Sequence, residues 1–132
     1  RYGAEPWLNF VANDATLSAL IPEAAFSCVL DNLIANGVDK RARQPGLNMR
    51  IALTSTAERQ SGKNGIRLEV SDNGESVAPE VAANLFLRPI DSRNGLGIGL
   101  YQGARLAASA GYALELAENE PGLVKFVLQP IL

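Results

Sequence analysis

Two asparagines, Asn32 and Asn36, lie four residues apart in a segment with apolar residues at helical spacing. Side chains four apart share one face of a helix. Asparagine is neutral to unfavourable in a helix interior, so the pair indicates that something polar lies against that face. An amide oxygen is a hard, neutral ligand of the kind that suits Mg²⁺, which also shares phosphate oxygens. The alternative is a solvated helix face, and this segment alone does not decide between the two.

A carboxylate, Asp72, stands at the end of an apolar strand pattern and is followed by Asn73 and Gly74. Such a carboxylate accepts a hydrogen bond from an exocyclic amine. Adenine offers the N6 amine, whereas guanine has an acceptor oxygen at the matching place. A buried Asp72 would therefore favour adenine over guanine. The alternative is an ordinary Asp-Asn-Gly turn.

A glycine-rich turn at residues 94–100 precedes a third helical pattern. Glycines let the backbone approach a ligand closely, and the helix N-terminus directs free N–H groups and a positive dipole end at an anion. The spacing is not the dinucleotide fingerprint, and no Walker A lysine is in place. A flexible linker is the alternative. The polar stretch at 90–94 just before the turn could cover a bound nucleotide and supply Arg93.

About five strands and three helices must position these residues. Alternating or short apolar patterns predict strands at 7–11, 49–54, 66–71, 112–117 and 123–128, the last two joined as a hairpin through Pro121-Gly122. Apolar spacing and proline or glycine boundaries predict helices at 22–43, 79–87 and from the glycine turn to about 110. This mixture predicts an α/β two-layer sandwich, with helices on one face of a mixed sheet.

The composition limits the possible chemistry. The 132 residues fit one domain, and the net charge of −2 argues against a general nucleic-acid binder. The chain has no histidine, which excludes an imidazole base or ligand, and its single cysteine fits a reducing compartment such as the cytoplasm. No apolar run is long enough to span a membrane. Because the chain starts at Arg1 and its one methionine is Met49, we expect a piece of a longer protein.

A fourth segment, residues 84–89, is typical of a helix end that packs Leu85 and Phe86 into the core before Pro89. In chain order, the four segments resemble the boxes of the ATP-binding catalytic domain of sensor histidine kinases, a Bergerat-fold domain. Residues 32–40 resemble the N box, 72–74 the G1 box, 85–89 the F box and 95–100 the G2 box. The resemblance implies a mixed sheet under three helices, with ATP and Mg²⁺ as cofactors. It also implies transfer of the γ-phosphoryl group to a histidine on a dimerisation domain outside this chain. A response regulator would be a further partner, with no nucleic acid and no direct membrane contact.

The resemblance also implies a role for individual residues. Asn36 would ligate Mg²⁺, and Asn32 would hold the phosphates or the waters of the metal. Asp72 would bind the adenine amine, and Gly74 would let the ring lie close to the backbone. The remaining nucleotide-binding residues would be Lys40, Arg93, Gly95, Leu96, Gly97, Ile98, Gly99 and Leu100.

The chain departs from the family pattern at three places. Ser76 replaces the second glycine of the G1 box, and Asp39 stands where many members have a lysine. The stretch between the F and G2 boxes is short, so we expect a small lid over the nucleotide. Two other functions therefore stay open. One is a degenerate module that acts in protein interaction, and the other is a stand-alone serine kinase of the anti-sigma type.

Overall fold

The computed structural model describes residues 7–12, 22–57, 64–87 and 97–131. The five strands within these residues form one sheet. They are β1 (Leu8–Ala12), β2 (Met49–Ala57), β3 (Asn64–Asp72), β4 (Tyr112–Glu120) and β5 (Leu123–Pro130). Their order is β1-β2-β3-β5-β4. β1 runs parallel to β2, and the other neighbours are antiparallel. The mixed sheet predicted from the sequence is therefore confirmed.

Three helices within the described residues pack on one face of this sheet: α1 (Glu23–Arg43), α2 (Pro79–Asn84) and α3 (Gly97–Ser109). Pro22 caps α1, and the basic residues of its last turn suit the negative end of the helix dipole. The strands bury the alternate residues that face the helices, such as Leu68 and Val70 in β3 and Leu128 in β5. The predicted two-layer α/β sandwich is confirmed.

The observed boundaries of several elements differ from those predicted. β2 runs to Ala57 rather than 54, and β3 runs from Asn64 to Asp72 rather than from 66 to 71. α2 ends at Asn84 rather than near 87, because a tight turn from Asn84 O to Leu87 N follows it and Leu85 enters the core. α3 already begins at Gly97, so Gly97 and Gly99 belong to its first turn rather than to the loop before it. The last hairpin is longer than predicted, because its ladder continues through polar pairs such as Glu118 with Lys125. Backbone pairing does not require apolar side chains.

Charged side chains cover the opposite face of the sheet. Glu69 on β3 contacts Arg67 at 3.0 Å and Lys125 at 3.4 Å, and Lys125 also contacts Glu118 at 3.1 Å. Burial by itself raises the pKa of Glu69, but the hydrogen bonds from Arg67 and Lys125 outweigh it, so the pKa lies below its ordinary value. The hydrogen bond to Glu118 is the main cause that raises the pKa of Lys125.

Glu69 is therefore expected to make the stability depend on acid pH. A carboxyl whose pKa is lower in the folded state contributes stability above its unfolded pKa and loses it as the pH falls through the folded pKa. Glu69→Gln should lower the free energy of unfolding by up to about 1 kcal/mol near neutral pH, because this network is partly exposed, and by almost nothing in strong acid. Urea unfolding across the acid range measures this, with the exposed Glu115→Gln as control. Equal pH profiles for Glu69→Gln and the wild type would show that the network is not coupled to folding.

Candidate functional site

A cavity of about 390 Å³ opens between α1, the sheet and the segment that leads into α2. Its walls include Leu33 from α1, Val70 from β3 and Phe126 from β5. Cavities of this size, mostly apolar and with a few polar groups, are typical of small-molecule sites. The polar or charged side chains at its surface are Asn36, Asp39, Lys40, Arg43, Asp72, Glu75 and Ser76.

Asp72 and Lys40 form an ion pair inside this cavity. Lys40 Nζ lies 2.9 Å from Asp72 Oδ1, and the two side chains are only 13% and 12% exposed. The same Asp72 oxygen accepts a hydrogen bond from the backbone N–H of Gly74 at 2.9 Å. Lys40 Nζ also donates to the carbonyl of Glu75 at 2.6 Å. The structure thus brings together Asp72 and Lys40, which the sequence placed in the nucleotide site, but Lys40 faces the carboxylate rather than a phosphate position.

The turn that carries Gly74 packs directly on the last turn of α1. A Cβ atom at Gly74 would lie 2.5 Å from Leu47 Cδ1, 2.7 Å from Lys40 Cε and 2.8 Å from Gln44 Oε1. Gln44 Oε1 also accepts a hydrogen bond from the backbone N–H of Glu75 at 3.0 Å. Glycine here leaves room for these three side chains against the turn, a packing contact that the sequence did not reveal.

Asn36 reaches the same cavity from α1, as its position on the helix face predicted. Its Nδ2 atom is buried and has no hydrogen-bond partner within the described residues. A buried polar atom without a partner is costly, and it indicates a place where a polar ligand completes the site. Because Nδ2 is an N–H donor, the partner that it can take is an acceptor such as a phosphate oxygen. Only the amide oxygen of Asn36, Oδ1, could ligate a Mg²⁺ ion, which takes few protein ligands and otherwise phosphates and waters. The described part of the chain contains no group of three His, Cys, Asp or Glu side chains able to hold a metal. A Mg²⁺ ion bound mainly through phosphates and waters does not need such a group.

Asn32 lies one helical turn before Asn36 and faces α3 instead of the cavity. Its Nδ2 donates to the carbonyl of Cys28 at 2.7 Å, and a Cβ atom at Gly99 would overlap the Asn32 amide. Cys28 Sγ lies 3.8 Å from the carbonyl oxygen of Gly99. Asn32 thus packs against the first turn of α3. That it holds the phosphates or the waters of the metal stays a prediction.

The predicted phosphate turn falls only partly within the described residues. Gly97, Ile98, Gly99 and Leu100 form the first turn of α3, whereas Arg93, Gly95 and Leu96 lie outside the described residues. Leu100 is fully buried in the core. Its side chain therefore does not face a ligand, and only its backbone could contribute to nucleotide binding.

Asn119 of β4 is a positioning residue that the sequence did not reveal. Its Oδ1 accepts a hydrogen bond from Val77 N at 2.7 Å, and its Nδ2 donates to Val77 O at 3.0 Å. Val77 belongs to the cavity wall, so this paired contact fixes the loop after Asp72. In the sequence Asn119 lies between two glutamates and resembles a solvated strand end. Nothing local relates it to a residue 42 positions away.

A mixed sheet under three helices, with a cavity between the long helix and the sheet, defines the Bergerat class of α/β domains. The chain belongs to the histidine kinase-, DNA gyrase B- and HSP90-like ATPase family, whose model matches residues 23–130. A curated relative is the sensor histidine kinase YvrG of Bacillus subtilis (strain 168), 31% identical over 99 residues. That match covers 70% of this chain but only 16% of the relative.

Solved structures of histidine kinases share the fold. Full-length ShkA in complex with AMPPNP superposes with a TM-score of 0.67 at 23% identity, covering 93% of this chain and 25% of ShkA. The nucleotide-free catalytic domain of histidine kinase ThkA gives 0.61 at 20% identity, covering 94% of this chain and 80% of that domain. Histidine kinase AdeS of Acinetobacter baumannii gives 0.64 at 16% identity, covering 94% of this chain and 53% of AdeS.

Proposed function

We propose that this domain binds ATP with Mg²⁺ in the cavity beneath α1 and acts as the catalytic domain of a sensor histidine kinase. The observation that carries the proposal is that the Asp72 carboxylate and Asn36, whose Nδ2 has no partner among the described residues, line one cavity whose walls are partly apolar and partly polar. Family membership gives the matching reaction class. The AMPPNP complex of ShkA supports the nucleotide.

Asp72 lies at the end of the proposed site that would bind the adenine base. Its Oδ1 atom already accepts two hydrogen bonds, whereas its Oδ2 has no donor among the described residues. Oδ2 can therefore accept a hydrogen bond from the exocyclic amine of adenine. Val70 and Phe126 in the wall provide apolar surface for a flat ring and keep water from the base.

Asn36 and the N-terminus of α3 lie at the end of the proposed site that would bind the phosphates. Gly99 in the first turn of α3 packs on Asn32, which lies one turn of α1 from Asn36. The positive end of the α3 dipole and its free N–H groups therefore lie near Asn36 and attract an anion. Asn36 would hold Mg²⁺, which supplies charge neutralisation for the phosphates when bound.

The chain binds and orients the nucleotide but supplies no histidine acceptor, because it contains no histidine. Phosphoryl transfer relies mainly on positioning and charge stabilisation, which suits a site without a nucleophile of its own. The acceptor would be a histidine on a dimerisation domain of the same kinase, and a response regulator would receive the phosphoryl group. We propose a cytoplasmic location on the similarity to a sensor histidine kinase alone. In the part of the chain that the structure describes, none of the helices could span a membrane.

A protein-interaction module without nucleotide is the second candidate. The ion pair between Lys40 and Asp72 favours it, because the Lys40 ammonium occupies space at the base end of the cavity. In this case Asn36 would have a structural role only.

Calorimetric titration with ATP separates the two candidates. We expect saturable binding in the presence of Mg²⁺, weakened about tenfold or more by EDTA, since a metal bridging protein and phosphates contributes at least a few charge-assisted contacts. A folded domain that binds no ATP at millimolar concentration would refute the nucleotide site and favour the interaction module.

A further inference from the structure

Asp39 brings a carboxylate to the side of the cavity where Asn36 would hold Mg²⁺. It follows Asn36 by three residues on α1, and both side chains line the cavity. Side chains three apart share one helix face, with their Cβ atoms about 5–6 Å apart. We propose that Asp39 and Asn36 together ligate the Mg²⁺ ion of bound Mg–ATP, so that nucleotide binding depends strongly on the metal. This inference rests on the proposed function of the site.

The charged side chains of the cavity wall favour a bound cation. They are three acidic and two basic residues, namely Asp39, Asp72 and Glu75 with Lys40 and Arg43. Lys40 pairs with Asp72 at 2.9 Å, and Arg43 pairs with Glu75 at 3.2 Å. Asp39 forms no ion pair with any residue that the structure describes. Because the phosphates of ATP are negative, their approach to Asp39 needs a cation that the described wall does not supply.

A carboxylate and an amide oxygen are a suitable ligand pair for Mg²⁺. The ion takes oxygen ligands, keeps several waters, and is usually bound by one or two carboxylates together with substrate phosphates. Asn36 alone offers one neutral oxygen, whereas Asp39 adds a negatively charged one. Helical residues three apart also supply ligands to one metal site in the di-iron carboxylate proteins. The spacing of Asn36 and Asp39 therefore allows both side chains to reach one ion.

Asp39 reverses the charge at a position where the family resemblance places a lysine. A lysine can contact phosphates directly, whereas a carboxylate can do so only through a bridging cation. The exchange therefore opposes binding of free ATP and favours binding of Mg–ATP. Because linkage is reciprocal, ATP and the metal then raise the affinity of the domain for each other by the same factor. Asp39 is exposed, so a substitution there removes no buried contact of the core.

Calorimetric titration with ATP, once in excess Mg²⁺ and once in EDTA, tests the inference in the wild type, Asp39→Asn and Asp39→Lys. In Asp39→Asn, ATP should bind about tenfold or more weakly with Mg²⁺, because a charged ligand to the metal is lost, and equally or more tightly in EDTA. In Asp39→Lys, ATP should bind in EDTA about tenfold or more tightly than to the wild type, because the ammonium contacts the phosphates directly. Asp31→Asn makes the same change at an exposed position of α1 outside the cavity lining, and it should alter neither titration.

The sign of the change in Asp39→Asn distinguishes ligation of the metal from repulsion of the phosphates. If this variant binds ATP with Mg²⁺ as tightly as the wild type or more tightly, Asp39 only repels the phosphates, and the inference is overturned while the nucleotide site stands. Failure of the folded wild type to bind ATP in either condition would overturn the proposed site and this inference with it. Circular dichroism checks the fold of each variant. Should one variant fail to fold, the other still decides, because each is compared separately with the wild type.

Discussion

We expect Asn36→Ala to weaken Mg²⁺-dependent ATP binding and to abolish phosphoryl transfer, with little loss of fold. The amide points into the cavity, and its Nδ2 has no partner within the described residues, so truncation breaks no hydrogen bond recorded there. The neighbouring Leu33 and Ile34, each 3% exposed, hold α1 on the sheet and are unchanged. We expect transfer to fall by about 100-fold or more, as when one charge-stabilising group is removed from a site.

The stability of this variant separates a ligand role from a structural one. Removing a buried donor without a partner relieves a desolvation cost of about 1–3 kcal/mol, so the free energy of unfolding should stay the same or rise. Urea unfolding measures this, and Asn9→Ala on the exposed edge strand β1 is a matched control. If Asn36→Ala unfolds the domain but the fraction that stays folded still binds ATP with Mg²⁺, the residue is structural and its assignment is wrong.

We expect that the isolated chain does not phosphorylate itself, and that a histidine-bearing dimerisation domain added as a separate polypeptide restores transfer. The chain contains no histidine, so it lacks the acceptor that the proposed reaction requires. Holding the acceptor near the γ-phosphate removes an entropic barrier that is worth several orders of magnitude in rate. Incubation with γ-labelled ATP, followed by acid treatment, should show acid-labile label on the added domain alone.

The chemical stability of the label distinguishes the remaining functions. Acid-stable label on a serine of a partner protein would favour the anti-sigma type of kinase. Acid-stable label on this chain would contradict the histidine-kinase function. ATP binding without transfer in any arrangement would leave a nucleotide-binding module, and the Asn36→Ala variant in the same assay controls for a contaminating kinase.

Local patterns in the sequence were sufficient for the elements of the fold and for two ends of the candidate site. Alternation predicted β2 and β3, and helical spacing predicted α1. Glycines marked the end of α3 and the turn of the last hairpin, where φ is +82° and +90°. Asn36 and Asp72 line one cavity, because each is fixed by its register on a regular element. A regular backbone determines where a side chain emerges.

Contacts between distant residues were decided only by the tertiary structure. Lys40 meets Asp72 across 32 positions, Asn119 holds Val77 across 42, and Gly74 makes room for the end of α1. Asn32, on the same helix face as Asn36, turns toward α3 because the close approach of Gly99 leaves its amide there. A long or polar side chain takes the direction that its packed neighbours leave open. The sequence by itself therefore determined the backbone elements and the registers of Asn36 and Asp72. Packing between distant segments determined which side chains lie together at the candidate site.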